Sequence, residues 1–279
     1  MGSPQDALRD GNLDQALSEL QQQVRKQPAN AKHRIFLFQL LAVRGEWQKA
    51  LTQLNVLRDM DASTLPMVQT YQEAIQCEAI RADVFAGRRS PLVFGDPEHW
   101  LALLVEALHP DASGHYAQAA DLRGQALEQT PAISGTIDGA EFAWITDADP
   151  RLGPVLEAIV NGRYYWVPFQ RIAKLELEAP ADLRDLVWLP AQFTWSNGGQ
   201  TVGLVPSRYP GSAQSTDNAI RLARKTDWQT VGEVAQYGLG QRLLATDIDD
   251  YSLLDTRLIE LNTIQDSTQE TATSSEPDG

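Results

Sequence analysis

Residues 6–28 read DALRDGNLDQALSELQQQVRKQP, and residues 40–62 read LLAVRGEWQKALTQLNVLRDMDA. Laid over one another, the two segments match at a single offset. Leu8 meets Ala42, Gly11 meets Gly45, Ala16 meets Ala50, Leu17 meets Leu51 and Leu20 meets Leu54, each pair 34 residues apart. That is the tetratricopeptide period, in which two helices joined by a turn form one unit. The glycines stand where a left-handed turn ends the first helix. The alanines are small enough for the second helix to cross its neighbour closely. Pro28 stands where that helix must stop, because proline lacks the amide needed to continue it. Gly114, Ala119 and Pro131 repeat the same spacings further on.

Outward from these copies the period loosens. Residues 65–85 read as one long helix that Gly87 can cap. Pro91, Gly95 and Pro97 make 88–97 a loop, and 98–108 reads as an apolar helix stopped by Pro110. Helical hairpins bury their apolar faces only by stacking, and a stack leaves a concave groove lined by the first helix of each pair. By repeat position Lys32, Ile35, Gln39 and Val43 face that groove, followed by Gln69, Glu73 and Gln76. Such grooves hold a peptide or a helix. Each of the seven reads equally well as plain solvated surface.

Near Ile133 the texture changes to short apolar and aromatic runs, and five of the seven tryptophans lie beyond it. Strands are expected at 141–145, 163–169, 172–177, 187–195 and 201–205, with further ones at 228–234, 241–246 and 257–261. Asn197-Gly198-Gly199 reads as a hairpin turn. Helices are expected at 151–161, between Pro150 and Gly162, and at 216–224. The fold class is therefore α+β, with tetratricopeptide-like hairpins followed by a largely antiparallel sheet. The expected divisions are 1–131 for the repeats, 132–262 for the sheet domain and 263–279 for a disordered acidic tail.

Composition narrows the function. The net charge of −14 repels phosphate backbones, which argues against nucleic acid and suits either a basic partner or solubility alone. No run approaches the ~18 apolar residues of a membrane span, and no secretory signal is apparent, so a cytoplasmic location is expected. One cysteine, Cys77, cannot form an internal disulfide or a cysteine-based zinc site. All four histidines, His33, His99, His109 and His115, fall in the helical half, so the second half cannot build a Ser–His–Asp or Cys–His centre from its own residues. Gly238-Leu239-Gly240 lacks the third glycine of a dinucleotide fingerprint and reads as a turn. Asp147 and Asp149, with Asp247, Asp249 and Asp250, are the remaining chemistry. At that spacing carboxylates suit Mg²⁺, a glycosidase pair, or a charged loop beside an edge strand. Arg151, Arg184, Asp185, Arg208, Tyr209, Asp217, Arg224 and Asp227 read either as ion pairs locking loops or as a recognition surface.

Six strings carry a family resemblance: DPRLGPVLEAI (149–159), YYWVPFQRI (164–172), LRDLVWLPA (183–191), VPSRYPGS (205–212), RKTDW (224–228) and GLGQRLL (238–244). Together and in this order they resemble the ImpE/TagJ family, accessory proteins of bacterial type VI secretion. The resemblance implies a non-enzymatic adaptor with no cofactor or metal. It would bind the N-terminal helix of the small sheath subunit and associate with the ClpV-type AAA+ unfoldase that recycles contracted sheath. It supplies no catalytic residues. The competing expectation is a metal-dependent hydrolase built on the acidic cluster.

Overall fold

Gly11, Gly45 and Gly114 close three turns with the same wiring. Each is left-handed, with φ of 75°, 69° and 81°. The amides of Gly11, Gly45 and Gly114 donate to the carbonyls of Leu8, Ala42 and Asp111, and the next amides reach back to Ala7, Leu41 and Pro110. These paired bonds satisfy carbonyls that the ending helix would otherwise leave open. The three alanines five residues on are all fully buried. The computed structural model describes residues 3–96 and 98–263. The tail expected to be disordered lies, past Thr263, outside the described residues, as does Pro97 of the expected loop.

The chain opens with α1 (Pro4–Arg9), α2 (Leu13–Lys26), α3 (Ala31–Val43), α4 (Trp47–Met60) and α5 (Leu65–Phe85). Asn12 and Asn30 cap α2 and α3 by accepting the amides of Gln15 and Lys32. Within the expected loop lies β1 (Leu92–Val93), followed by α6 (His99–Glu106), α7 (Leu108–Ala112) and α8 (Tyr116–Gln129). Pro110 lies inside α7 and does not end the helical run, because the first turn of a helix has no use for its missing amide.

Strands follow: β2 (Gly135–Ile137), β3 (Ala140–Phe142), β4 (Ile145–Asp147), β5 (Val155–Val160), β6 (Arg163–Pro168), β7 (Ile172–Leu177), β8 (Trp188–Trp195) and β9 (Gln200–Pro206). After the short α9 (Asn218–Arg221) come β10 (Thr226–Val231), β11 (Ala235–Gly240), β12 (Leu243–Thr246), β13 (Asp250–Ser252) and β14 (Leu258–Leu261). Nine of them form one sheet in the order β1-β6-β5-β9-β8-β7-β14-β2-β3, antiparallel except for the β1–β6 pair. β13, β12 and β4 form a second sheet, and β10–β11 a free hairpin. The α+β class and the largely antiparallel sheet stand as expected.

Residues 151–161 correct the expectation of a helix: 155–160 are strand β5. Every residue of β5 is buried, and alternation places Val155, Glu157 and Ile159 toward the helices and Leu156, Ala158 and Val160 toward a second core. A short run buried on both faces has no periodicity to distinguish strand from helix. Gly162, expected to end that helix, instead forms with Asn161 the β5–β6 turn, with φ of 69° and 49°. Gly238-Leu239-Gly240 is likewise strand β11, not a turn. A Cβ on Gly238 would come within 2.3 Å of the Tyr209 ring, so this glycine serves close approach.

The helices cover one face of the large sheet. A continuous core joins Leu41, Leu54, Tyr71 and Trp100 of the helices to Val155, Trp166, Trp188 and Leu204 of the strands. Leu175, Phe193, Val205 and Ile259 fill a second core on the opposite face.

Candidate functional site

The seven residues expected to line a concave groove are divided by the fold. Lys32, Gln69 and Gln76 are exposed, while Ile35 and Glu73 are half-buried. Gln39 and Val43 are buried, at 5% and 0% exposure. The 3-10 turn Leu183–Leu186 lies against α3, and the Val43 carbonyl accepts from Arg208 at 2.8 Å. A Cβ added to Gly162 would meet Glu73 at 2.8 Å, and the Cys77 thiol donates to the Gly162 carbonyl, so the β5–β6 turn closes over the middle of α5. The sheet half thus occupies the end of this face, and the seven do not share one open groove. A repeat period says nothing about a second half of the chain folding back on the stack.

The polar set in the second half serves that attachment. Arg224 donates to the carbonyls of Leu8 and Arg9 at the end of α1, and Asn218 donates to the Gly11 carbonyl. Arg208 bonds the carbonyl of Val43 at the end of α3 and that of Arg221. Cations suit these positions because a helix C-terminus is a concentration of negative dipole. The turn residue Gly45 sits against Ala213, where a Cβ would come within 2.7 Å. Both repeat turns, at Gly11 and Gly45, therefore dock on the loop 208–224.

Beneath the helices runs a chain of buried charge. Arg81 holds Glu157 with two bonds of 2.6 and 2.7 Å, and Arg242 lies 3.3 Å from the same carboxylate. Arg242 also grips Asp147 at 2.6 and 2.9 Å, and Asp147 accepts the Asp149 amide. Asp149 in turn holds Arg151 and accepts the amide of Gly238. Burial pushes Glu157 up, but Arg81 and Arg242 outweigh it and hold the carboxyl below its usual range. Burial pushes Asp147 up to about 6: Arg242 opposes the rise, while Asp149 adds like charge. Asp247 accepts the Ala143 amide and Asp249 the Asp250 amide. Four of the five carboxylates considered for metal, Asp147, Asp149, Asp247 and Asp249, are thus engaged by arginines or backbone amides. Among the described residues no group of three or more His, Cys, Asp or Glu is placed to hold a metal ion.

A groove of about 920 Å³ opens where α8, the small sheet and the β10–β11 hairpin meet. Ala120, Gly124 and Leu127 line one wall, at the i, i+4, i+7 spacing of one helix face. Trp144, Thr146 and Ala148 line the other, alternate residues of the β4 segment, and the register continues that face through Ala245 to Asp250. Val234 and Trp228 of the hairpin form the third side. Gly232 packs on Tyr116, where a Cβ would meet the ring edge at 2.5 Å, so the hairpin turn rests on the start of α8. Leu127, Val234 and Trp144 remain 57%, 50% and 38% exposed. Large exposed apolar side chains gathered around one concavity are what an interaction surface requires. The sequence reading missed them. The available signal was the small-residue stripe Ala120–Gly124, which leaves one side of α8 flat while Ala119 and Ala126 face the core.

No described helix is long and apolar enough to cross a membrane. The family profile described as ImpE protein matches residues 139–260. The type VI secretion system accessory component TagJ of Pseudomonas aeruginosa is 54% identical over 256 residues, spanning 92% of this chain and 90% of that protein. The crystal structure of protein VPA1032 from Vibrio parahaemolyticus has a TM-score of 0.84 at 26% identity, over 92% of this chain and 97% of that one. With a relative this similar along nearly its whole length, the chain belongs to the ImpE/TagJ family of type VI secretion accessory proteins.

Proposed function

We propose that this chain is a non-enzymatic, cytoplasmic adaptor of type VI secretion. It holds the N-terminal helix of the small sheath subunit and connects the sheath to a ClpV-type AAA+ unfoldase. The open apolar groove between α8, β4 and the β10–β11 hairpin carries this reading. Its 920 Å³ accommodates roughly four turns of a ~10 Å helix sunk to half its diameter. Helix-in-groove binding asks for an apolar trough with accessible anchors, and Leu127, Trp144 and Val234 provide them. Four of the five carboxylates that a metal-dependent hydrolase would use, Asp147, Asp149, Asp247 and Asp249, are engaged in ion pairs or backbone bonds, which favours binding over catalysis.

Isothermal titration of the full chain with a synthetic small-sheath-subunit N-terminal helix tests the proposal. Leu127→Glu with Val234→Glu is expected to weaken binding by ~100-fold or more, because an unpaired charge buried on binding is costly. The melting temperature should hold, since both positions are at least half exposed. Unchanged affinity in the folded double variant would overturn the groove. Loss of affinity instead in Lys32→Glu with Gln69→Lys and Gln76→Lys would move the site to the exposed α3–α5 face. Co-purification of the unfoldase with the peptide-loaded chain tests the second connection.

A further inference from the structure

The rim of the groove carries exposed charge of one sign. An α-helix turns ~100° per residue, so Asp121 and Glu128 flank the Ala120–Gly124–Leu127 stripe on its outer side, and both are exposed. On the opposite wall Asp250 is exposed and stands in register with Ala245, and Asp247 is held beside Trp144 through the Ala143 amide. Glu233 is exposed at the hairpin tip next to Val234. The segments that build the groove, 116–129, 142–154 and 226–252, contain three basic residues. Each is largely buried and paired: Arg123, which borders the groove, with Asp111, Arg151 with Asp149, and Arg242 with Asp147. The groove is therefore apolar along its floor and acidic on both banks.

We infer that its occupant is an amphipathic helix with lysine or arginine on both sides of the apolar stripe. This rests on the adaptor reading and specifies the chemistry of the helix. Two other occupants are disfavoured by the same charge. Residues 264–279 of this chain hold four acidic residues and no basic one. A second copy would bring a surface of the same −14 net charge. A basic-flanked helix places cations against Asp121 and Glu128 on one bank and Asp250 on the other, while its apolar side chains cover Leu127, Trp144 and Val234. Such exposed pairs each contribute about a two- to fivefold gain in affinity and weaken with salt. Several acting together set partner choice and association rate more than they deepen binding.

The test uses the full chain and two designed amphipathic peptides of about four turns. Both carry the same leucine stripe, one with lysine flanks and the other with glutamate flanks. The sheath-subunit helix is run alongside. At about 50 mM salt the lysine-flanked peptide is expected to bind ~10- to 100-fold tighter than the glutamate-flanked one, and at about 300 mM that preference should shrink severalfold. Asp121→Asn with Glu128→Gln and Asp250→Asn should erase the preference, while Leu127→Glu should weaken both peptides. Equal binding of the two peptides to the unmodified chain overturns the inference, as does a preference that survives the three neutral substitutions. If the sheath helix binds with no dependence on salt or on these acids, the partner stands and the charge rule falls. If the lysine-flanked peptide binds and the sheath helix does not, the groove's chemistry stands and its assignment to that partner falls. Binding of neither overturns both.

Discussion

Arg81 of α5 and Glu157 of β5 meet in a bidentate pair at 2.6 and 2.7 Å, with the Glu157 side chain wholly removed from solvent. This pair crosses the boundary between helices and sheet. The same guanidinium also donates to the Arg208 carbonyl at 2.8 Å, so one side chain ties α5, β5 and the loop 208–224 together. Two parallel bonds fix geometry as well as charge, which a single Lys contact would not do.

Loss of one partner from this pair should therefore be severe. Arg81→Met leaves Glu157 to Arg242 and the Tyr164 hydroxyl. We expect a loss of ~3–5 kcal/mol in urea unfolding, the range for breaking a buried pair. Arg81→Met combined with Glu157→Leu should cost less than the sum of the single changes, because the buried Glu157 charge is then no longer left behind without Arg81. Additive losses would show that the two residues do not act as a unit.

The pH dependence of stability should carry the mark of Asp147. Burial raises its carboxyl from the ordinary 3.8 to about 6, so between those values the native state holds a proton that the unfolded chain has released. That contribution is complete below the ordinary carboxylate range and is lost as pH rises through about 6. Glu157 acts in the opposite sense: held low, it contributes above its ordinary range and loses that only as pH falls through its native value. Unfolding free energy should thus fall between about pH 4 and 6 by at most ~1.4 kcal/mol per pH unit from Asp147. Asp147→Asn should remove that slope in urea melts across the window. An identical slope in the variant would assign it to another group.

The proposed division into residues 1–131 and 132–262 implies two sequence units sharing one core. A protease site engineered between Pro131 and Ala132, both exposed, is expected to be cut without separating the halves. Val155, Trp166 and Trp188 would still lie against the helices. Size-exclusion chromatography of the nicked protein checks this. Two separated fragments under native conditions would show that the shared core is too weak to hold them.

Much of the architecture is legible in residues that obey local rules. Gly11, Gly45 and Gly114 must be left-handed to end a helix, so the 34 residues from Gly11 to Gly45, and the same turn at Gly114, report the hairpins directly. Asn197-Gly198-Gly199 marks the β8–β9 turn for the same local reason, with Gly198 at φ 81°. Strand β5 was not legible as a strand, since burial on both faces removes the alternation that identifies one. Gln39 and Val43 could not be seen as buried, because what covers them lies about 140 residues or more further along the chain. The groove was hidden in the same way. Leu127, Trp144 and Val234 come from three separate segments and acquire meaning only when β4 and the hairpin fold against α8.

Hydrogen–deuterium exchange of the full chain, with and without a saturating small-sheath-subunit N-terminal helix, tests the central claim most directly. Amides in a bound groove exchange more slowly because local opening is suppressed. The account predicts new protection in 116–129, in 142–148 and across the β10–β11 hairpin at 226–240, with α3 unchanged. Protection confined to 31–43 and 65–85, with the hairpin and α8 exchanging as in the free chain, would contradict it.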